Sequence, residues 1–368
     1  MKPKICHITT LHPWDDTRIF HKECKALAAA GFSVSLIVIN QKSQTVDGVT
    51  ISNIDGQFSG RLEAMRKRAK LALARALAID AAIYHLHDPE LLSIAGKLKA
   101  KGKIVIYDAH EDVPRQILAK PWIPSLLRPS ISKVFEYFEN RITRKIDAVV
   151  AATPYIRDRF LAVNPRTVAI CNFPKLSELP AATIWSNKEK AFCYIGRMDK
   201  VRGVYETMEV LSSTKEAQLV LAGWFGEGAI EAELRQSSNW TKVDFLGMLD
   251  RAGVVEVLSR CKVGLVTLHP LINYQTSLPV KMFEYMAAGI PFVASDFPYW
   301  KEIIDRHQCG LSADPLSPTA IAKQVNYLFE NDQAAQQMGR NGRKAVEAFY
   351  NWEIEKEKLV QLYQQLLT

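Results

Sequence analysis

Short runs of apolar and β-branched residues alternate with longer stretches of helical periodicity along this chain. Buried strands separated by helices are typical of parallel sheets that carry helices on both faces. The fold class is therefore α/β, with two doubly wound, Rossmann-like parallel-sheet domains. The runs of the first half are residues 5–9, 34–39, 83–87, 104–107, 148–152 and 168–171, and those of the second half are residues 192–196, 219–223, 243–246, 263–268 and 292–295.

The chain has 368 residues, which is more than one hydrophobic core usually serves. Residues 174–190 contain Pro174 and Pro180 without sustained periodicity, so we interpret them as a linker. The predicted domains are residues 1–173 and 191–349. Residues 350–368 form a final amphipathic helix, with Leu359, Leu362 and Tyr363 at helical spacing. Because ligands of open α/β sheets bind at the carboxyl ends of the strands, we expect both sheets to face a shared cleft.

The pattern of residues 277–289 predicts a loop followed by a short helix that carries one carboxylate and ends at Gly289. Ser277 is a plausible N-cap, and Gly289 suits the left-handed residue that ends a helix. A helix start offers backbone N–H groups and a positive dipole to phosphate, whereas Glu284 can accept hydrogen bonds from hydroxyls. Alternatively, Glu284 is a solvated residue of an ordinary αβ unit. The further candidate ligand contacts in this segment are Leu278, Val280 and Lys281.

Three other strand ends carry glycine or cations. Gly196 and Arg197 end one predicted strand, and Arg202 follows before the next helix. Fixed positive charges of this kind stabilise a diphosphate leaving group, although a solvated turn with two surface arginines fits the same residues. Gly223 and Gly247 end the next two strands and permit close backbone approach or serve as plain turn residues. Gly247 is followed by Met248 and Leu249.

With these flanks, the 277–289 segment resembles the donor site of retaining GT-B glycosyltransferases of the family-four (group 1) type, in the branch that builds bacterial surface polysaccharides. The resemblance implies that Glu284 grips the nucleotide ribose and that Arg197 and Arg202 bind phosphate. It also implies that Met248 and Leu249 meet the nucleobase. Relatives pack the last helix back toward the N-terminal domain, so residues 350–368 are expected to do the same.

Two positions depart from the family pattern. Arg202 stands where lysine is more usual, which keeps the positive charge and adds a guanidinium that can bind phosphate through two hydrogen bonds. Thr276 stands where relatives have a second glutamate near the donor sugar, so recognition of the sugar is left open. Lys281 either supplies charge to the donor or faces solvent.

The N-terminal half offers polar residues at its own strand ends. His110 follows the strand at 104–107, and the resemblance places such a histidine near the donor sugar and the reacting bond. His87 and Asp88 end the preceding strand and are expected to line the cleft. Asp16 and Arg18 follow the first strand and are expected there too, with Asp16 equally suited to capping a helix.

No metal is expected. His85, His87 and Asp88 lie too close along one strand for all three to face one ion, and structural or substrate roles suit them better. The aspartate-rich metal signature of the other main glycosyltransferase fold does not stand out. The six cysteines are scattered, which favours reduced thiols in a cytoplasmic protein.

The positive charge is concentrated in the N-terminal half. Residues 1–174 carry 26 Lys and Arg against 16 Asp and Glu, whereas residues 175–368 carry 21 against 23. The basic helix predicted at 61–75 resembles an interfacial helix that binds an anionic membrane surface, and residues 120–128 place apolar anchors between cations. A solvated basic face on a core-packed helix is the open alternative. Peripheral attachment to the inner face of the cell membrane follows from the first interpretation.

The predicted function is transfer of a sugar, with retention, from a UDP- or GDP-linked donor to a polyprenyl-diphosphate-linked saccharide. Donor base, sugar, linkage and oligomeric state stay open. Two alternatives remain within the fold: a nucleotide-sugar epimerase, and a non-catalytic subunit that binds sugar nucleotide. A nucleic-acid-binding protein would explain the basic half but neither Glu284 nor the second domain, so no nucleic-acid partner is expected.

Overall fold

A computed structural model describes residues 2–179 and 185–368. The chain divides into two compact units. One runs to Asn172 and also contains Glu353–Thr368, and the other is Phe173–Trp352. Within the predicted linker, Leu176–Glu178 and Trp185–Asn187 form short 3₁₀ turns, and the part at 180–184 lies outside the described residues.

The first unit is built on a sheet in the order β3-β4-β2-β1-β5-β6-β7-β8. All its pairs are parallel except β3 with β4. His7 of β1 lies directly beside His85 of β5 in the register. The strands are β1 Lys4–Ile8, β2 Ser33–Ile39, β3 Gln44–Val46, β4 Val49–Ile54, β5 Ile83–Leu86, β6 Ile104–Ala109, β7 Ala148–Ala151 and β8 Thr167–Ala169.

The helices of the first unit cover the sheet. A π-helical turn at Ile19–Cys24 continues directly into α1, Lys25–Ala29. The others are α2 Arg61–Ile79, α3 Leu92–Lys99, α4 Val113–Leu118, α5 Arg128–Thr143 and α6 Pro154–Leu161.

The second unit has an all-parallel sheet in the order β11-β10-β9-β12-β13-β14. Its strands are β9 Glu189–Ile195, β10 Gln218–Ala222, β11 Val243–Gly247, β12 Cys261–Val266, β13 Phe292–Ser295 and β14 Gly310–Ala313. Its helices are α7 Val204–Glu209, α8 Gly228–Gln236, α9 Arg251–Arg260, α10 Val280–Ala287, α11 Pro298–His307, α12 Pro318–Glu330 and α13 Asp332–Phe349, and α14, Trp352–Leu367, follows.

Helix α14 packs in the first unit, to which Glu353–Thr368 belong. Leu359, Leu362 and Tyr363 are buried. The Glu355 carboxylate accepts a hydrogen bond from the Cys171 backbone N–H at 2.9 Å. The Tyr363 hydroxyl lies 2.7 Å from His85 Nδ1, so the helix is anchored on a central strand by a polar contact.

The helix of the 277–289 segment starts later than the sequence predicts. Helix α10 begins at Val280 with Pro279 as its N-cap residue, so the prediction that Ser277 caps it is wrong. The Ser277 hydroxyl instead donates to the Tyr274 carbonyl at 2.9 Å, because Pro279 fixes the turn that precedes the helix. Gly289 has φ +68°, as expected for the left-handed residue that ends a helix.

Six thiols, those of Cys6, Cys24, Cys171, Cys193, Cys261 and Cys309, are buried and free. Among the helices at residues 2–179 and 185–368, none is long and apolar enough to cross a membrane.

Candidate functional site

Two glycine loops meet at the carboxyl end of the second sheet. Gly196 follows β9 with φ +111°, and Gly223 follows β10 with φ +133°. A Cβ on Gly223 would lie 2.1 Å from the Gly196 carbonyl oxygen, so only glycine allows this approach. The loops are therefore held backbone against backbone, which fixes the residues that follow Gly196.

Three cations surround the Gly196 loop. Arg197 Nε lies 3.1 Å and Arg202 Nε 3.5 Å from Asp199 Oδ2. Asp199 also caps the turn Lys200–Arg202, since its Oδ1 accepts from Arg202 N–H at 3.0 Å. Lys281, on the first turn of α10, lies 3.9 Å from the position of a Cβ on Gly196. One carboxylate thus pairs with two arginines, and the Lys281 amine lies beside the same loop.

The Lys281 ammonium has no hydrogen-bond partner among the described residues. Its Nζ lies 3.4 Å from the centroid of the Tyr194 ring. The side chain is partly exposed, but Nζ itself is buried. Burial and the neighbouring Arg202 lower the pKa of Lys281 well below its usual value. An unpaired amine held beside a glycine loop is suited to receive an anion, because a bound phosphate would stabilise its charged form.

Glu284 is buried against a partner that the sequence did not reveal. Arg251 Nη1, at the start of α9, donates to Glu284 Oε1 at 2.6 Å. Arg251 Nε lies 3.1 Å from Glu178 Oε2. The guanidinium therefore holds the Glu284 carboxylate in place. Arg251 follows Leu249 by two positions and Met248 by three, and this proximity in sequence was the available signal.

The residues before α10 are also held firmly. Trp300 Nε1 donates to the Ser277 carbonyl at 2.7 Å. Leu278 and Val280 follow, and the backbone N–H groups of the first helical turn lack partners within the helix. On β11, Gly247 has φ +65° and leads to an exposed Met248 and a partly buried Leu249. These predicted donor contacts and the three cations belong to the same unit.

In the first unit, Asp108 at the end of β6 is the hub of a buried polar cluster. Arg18 binds it through two hydrogen bonds, Nη2 to Oδ1 at 2.8 Å and Nε to Oδ2 at 3.0 Å. Burial raises the pKa of Asp108, but Arg18, His110 and His87 outweigh this and hold it well below its usual range. Asp108 is therefore an anion that accepts hydrogen bonds.

Three residues expected to line a cleft are buried instead. Arg18 is 5% exposed, His87 2% and Asp88 1%. The remaining Arg18 nitrogen, Nη1, donates to the Ile170 carbonyl at 2.7 Å. Asp88 Oδ2 accepts from Thr10 N–H at 2.6 Å. This corrects the prediction that the three side chains line a cleft: His87 and Asp88 follow β5, Arg18 precedes the π-helical turn, and each side chain is directed inward to buried polar partners.

His110 is the partly exposed member of the cluster. Its Nε2 lies 3.0 Å from Asp108 Oδ2. Because Asp108 is an anion, Nε2–H is the donor of this contact, and in that tautomer Nδ1 is an acceptor. The Asp108 carboxylate thus fixes both the orientation and the tautomer of His110.

Asp16 and His12 complete the exposed edge near His110. Asp16 Oδ1 accepts from the backbone N–H groups of Arg18 and Ile19 at 2.8 and 2.9 Å, so it caps the helical turn there. The His12 and His110 ring centroids are 5.3 Å apart. Burial lowers the pKa of His12, but Asp16 and Asp88 outweigh burial and raise it above the usual value. Sequence reasoning missed His12, although it follows β1 as His110 follows β6.

The buried histidines form one hydrogen-bonded series. His85 Nδ1 lies 2.7 Å from the Tyr363 hydroxyl, which is 3.2 Å from His7 Nε2. His7 Nδ1 is 2.8 Å from His87 Nε2, and His87 Nδ1 is 3.3 Å from Asp108 Oδ2. If each Nδ1 carries the proton, each contact of this series has one donor and one acceptor, and His87 Nδ1 lies 3.2 Å from His110 Nε2 because both nitrogens donate to Asp108 Oδ2. Burial lowers the pKa of all three histidines, which agrees with neutral rings donating toward Asp108.

Ligand-type atoms of His7, Glu23, His85 and His87 lie within 4.8 Å of one another. His85 and His87 come from one strand region, whereas His7 lies on β1 and Glu23 in the π-helical turn, so the set joins elements far apart in sequence. Burial and Asp108 raise the pKa of Glu23 well above its usual range, which favours the neutral acid beside Asp108. The hydrogen-bonded series accounts for the ring nitrogens of this set apart from His85 Nε2.

The two units that carry these sites each match a known protein family. The family described as "Glycosyltransferase Family 4" matches residues 17–173, and the family described as "Glycosyl transferases group 1" matches residues 177–345. The two matches follow the two units and together span most of the chain. The chain belongs to the group 1 glycosyltransferases. Its fold is GT-B, two Rossmann-like parallel-sheet domains.

Individual relatives agree with this family. The chain is 25% identical over 287 residues to "D-rhamnosyltransferase WbpZ" of Pseudomonas aeruginosa, covering 73% of this chain and 69% of the relative. It is 24% identical over 301 residues to "Phosphatidyl-myo-inositol mannosyltransferase" of Mycobacterium leprae, covering 78% of this chain and 75% of the relative. Anabaena HepE, solved in complex with UDP-glucose, aligns with a TM-score of 0.72 at 13% identity, over 98% of this chain and 99% of that chain.

In this glycosyltransferase the predicted site residues fall into two groups. Gly196, Arg197, Arg202, Gly223, Lys281 and Glu284 lie on loops and a helix start at the carboxyl end of the second sheet. His110 and Asp16 lie at the exposed edge of the first sheet's polar cluster, with Arg18 and His87 behind them. Group 1 GT-B enzymes generally use nucleotide-sugar donors without a metal.

Proposed function

We propose that this protein moves a sugar, with retention of anomeric configuration, from a nucleoside-diphosphate sugar to a lipid-linked saccharide acceptor during synthesis of a bacterial surface polysaccharide. The observation that carries the proposal is the set of three cationic side chains around the Gly196 loop, beside a Glu284 carboxylate fixed by Arg251. The basic side chains suit the phosphates of a nucleoside diphosphate, and the Glu284 carboxylate suits its ribose.

The departing diphosphate gains negative charge as the glycosidic bond breaks. Arg197 and Arg202 would meet its oxygens with forked hydrogen bonds, and Lys281 would add a point charge. The backbone N–H groups at Val280 and Lys281 would contribute the helix dipole. These groups are held in place before the reaction, so their stabilisation costs little reorganisation.

Glu284 would accept hydrogen bonds from the ribose hydroxyls while Arg251 keeps its carboxylate oriented. Met248 and Leu249 would contact the nucleobase, with UDP- and GDP-linked sugars as the favoured donors. The UDP-glucose complex of HepE supports a donor of this class. A hexose is the transferred group that the relatives' names favour.

His110 would contact the transferred sugar. Its Nδ1, left as an acceptor by the contact of Nε2 with Asp108, would accept a hydrogen bond from a sugar hydroxyl. We assign proton removal from the acceptor hydroxyl to an oxygen of the departing phosphate, on the same face of the sugar, which gives retention without a covalent intermediate. No side chain is proposed as a nucleophile.

The acceptor is proposed to be a saccharide on a polyprenyl diphosphate, which places the enzyme at the inner face of the cell membrane. The name of the mycobacterial relative also specifies a lipid acceptor. The basic N-terminal half supports attraction to an anionic surface.

The proposal is tested by incubating the enzyme with labelled UDP- and GDP-sugars and extracted bacterial lipids. We expect one sugar to reach the lipid fraction, and NMR of the released glycan to show the donor's anomeric configuration. Tight nucleotide binding with no transfer from any donor would refute the transferase, and an inverted linkage would refute the mechanism. Conversion of the nucleotide sugar to its epimer without lipid would favour the epimerase.

A further inference from the structure

Helix α5 buries three polar side chains and exposes several of its apolar ones. Ser132, Glu139 and Thr143 are buried. On the opposite side Val134 is 70% exposed and Tyr137 66% exposed. Helices of water-soluble domains usually do the reverse, so this helix carries an apolar surface that its own unit does not cover.

Hydrogen bonds of the buried side fix this orientation. The Ser132 hydroxyl donates to the Pro114 carbonyl at 2.7 Å. Arg159 Nη2 lies 2.8 Å from Glu139 Oε2. Rotating the helix to bury its apolar side would break this ion pair and leave Asp112, 3.5 Å from Arg159 Nε, as the remaining partner of the guanidinium. The outward apolar side is therefore built into the fold of the first unit.

The exposed apolar side chains form one continuous face, which we call the α5 face. Positions 127, 131, 134 and 138 recur at helical spacing, so their side chains share one side of the helix. Leu126, in the turn before the helix begins, is 91% exposed. The members of the α5 face are Leu126, Leu127, Ile131, Val134, Tyr137 and Phe138.

The exposed charges beside the α5 face are positive. Lys133, Arg141, Arg144 and Lys145 are exposed. The two acidic residues of α5 are both paired with arginines, Glu136 with Arg115 and Glu139 with Arg159.

A depression of about 340 Å³ lies at the end of the helix. Tyr137, Asn140, Arg141, Arg144 and Lys145 line it. Three cations around a shallow depression suit the phosphate of a lipid headgroup, and they lie next to side chains suited to the acyl boundary.

We propose that the α5 face is the membrane-docking surface of this enzyme, with its apolar side chains inserted at the headgroup boundary of an anionic bilayer and Arg141, Arg144 and Lys145 bound to lipid phosphate. An anionic bilayer satisfies the apolar and the cationic parts together. A second copy of the chain would not, because a two-fold contact through this face would bring like charges together. Only the reason for membrane docking, which is access to a lipid-linked acceptor, rests on the proposed function.

The basic helix α2, predicted from the sequence to be the membrane element, has a different exposed side. It buries Ala64, Ala69, Ala72 and Ala76. Among its described side chains, Leu77 is the large apolar one that is exposed. The described side chains of α2 therefore expose mainly charge, with Leu77 as their large apolar residue, which fits the alternative of a solvated basic face.

Flotation with vesicles of phosphatidylcholine, with or without phosphatidylglycerol, tests the proposal on the full-length protein. We expect the wild type to bind the anionic vesicles and the variant Leu126→Ser/Val134→Ser/Tyr137→Ser to bind at least tenfold less. The variant Arg141→Gln/Arg144→Gln/Lys145→Gln should lose binding to the same degree. A matched control, Arg66→Gln/Lys67→Gln/Lys70→Gln on α2, removes the same charge and should change binding less than threefold.

Three results would overturn the proposal. The first is no binding of the wild type to anionic vesicles, and the second is an equal loss of vesicle binding in the α2 control. The third is a wild-type dimer in sedimentation that dissociates to a monomer in the serine variant. All substituted residues are exposed, and circular dichroism checks folding. Nucleoside-diphosphate affinity should be unchanged in every variant. The vesicle-binding assay contains no sugar donor and measures no sugar transfer. A failure of membrane docking can therefore be distinguished from a failure of the proposed transferase activity.

Discussion

Replacing Arg202 by alanine is expected to lower kcat by about 10²–10³-fold, the range seen when one preorganised group that stabilises transition-state charge is removed. Arg202 lies beside Arg197 and Lys281 at the Gly196 loop, and its Nε is buried without a hydrogen-bond partner in the described structure. Its charge is needed most when the diphosphate departs. The loss should therefore appear mainly in kcat, measured with a saturating nucleotide-sugar donor.

Two variants separate charge from position. Arg202→Lys keeps the positive charge, so it should retain more activity than Arg202→Ala. Lys200→Ala removes an exposed cation from the same turn and should leave kcat within about twofold of the wild type, as expected for loss of a solvated charge. Equal kcat for the wild type and Arg202→Ala would remove Arg202 from the proposed mechanism.

Replacing Arg18 by methionine is expected to lower the free energy of unfolding of the first unit by about 3–5 kcal/mol, because breaking a buried ion pair leaves an uncompensated charge. Asp108 would lose both guanidinium hydrogen bonds while Glu23 remains beside it. Urea unfolding measures this change. Arg66→Met removes an exposed arginine of α2 and should change stability by less than about 0.5 kcal/mol.

The Arg18 effect should depend on pH in a definite direction. The pKa of Asp108 is depressed in the folded protein, so its ionisation stabilises the fold above the unfolded pKa of about 4. This contribution is lost as the pH falls through the folded pKa. The stability difference between the wild type and Arg18→Met should therefore be largest near pH 7 and shrink below about pH 4. A difference that is constant across this range would contradict the assignment of Asp108 as an anion held by Arg18.

Apolar runs were enough to predict most of the sheet strands, because parallel strands buried on both faces read as continuous hydrophobic segments. The hairpin of β3 and β4 was missed, since β3 is short and partly exposed. Its turn residues, Asp47 at φ +50° and Gly48 at φ +79°, are the Asp-Gly pair typical of a two-residue hairpin, so the signal was present. Strand β14 was missed because Gly310 and Ser312 interrupt its apolar pattern.

Site residues that are marked by their spacing in the sequence could be predicted. Burial of a side chain and its contacts with residues far away in the sequence could not. Glycine at strand ends and nearby cations pointed to Gly196, Arg197 and Arg202 without a structure. Burial of Arg18 depends on a partner 90 residues away, Asp108. Arg251 was missed for the same reason, since its contact with Glu284 joins two helix starts that only the folded sheet brings together.

Calorimetric titration of Glu284→Ala with UDP and GDP tests the central claim most directly. Hydrogen bonds to charged groups contribute about 1.5–3 kcal/mol, so affinity for the nucleotide that the wild type binds should fall at least about tenfold. Glu178→Ala is the matched control, because it removes the other carboxylate that pairs with Arg251 and leaves α10 untouched. We expect the control to bind within about twofold of the wild type. Unchanged affinity in Glu284→Ala would contradict the account that this carboxylate holds the nucleotide of the sugar donor.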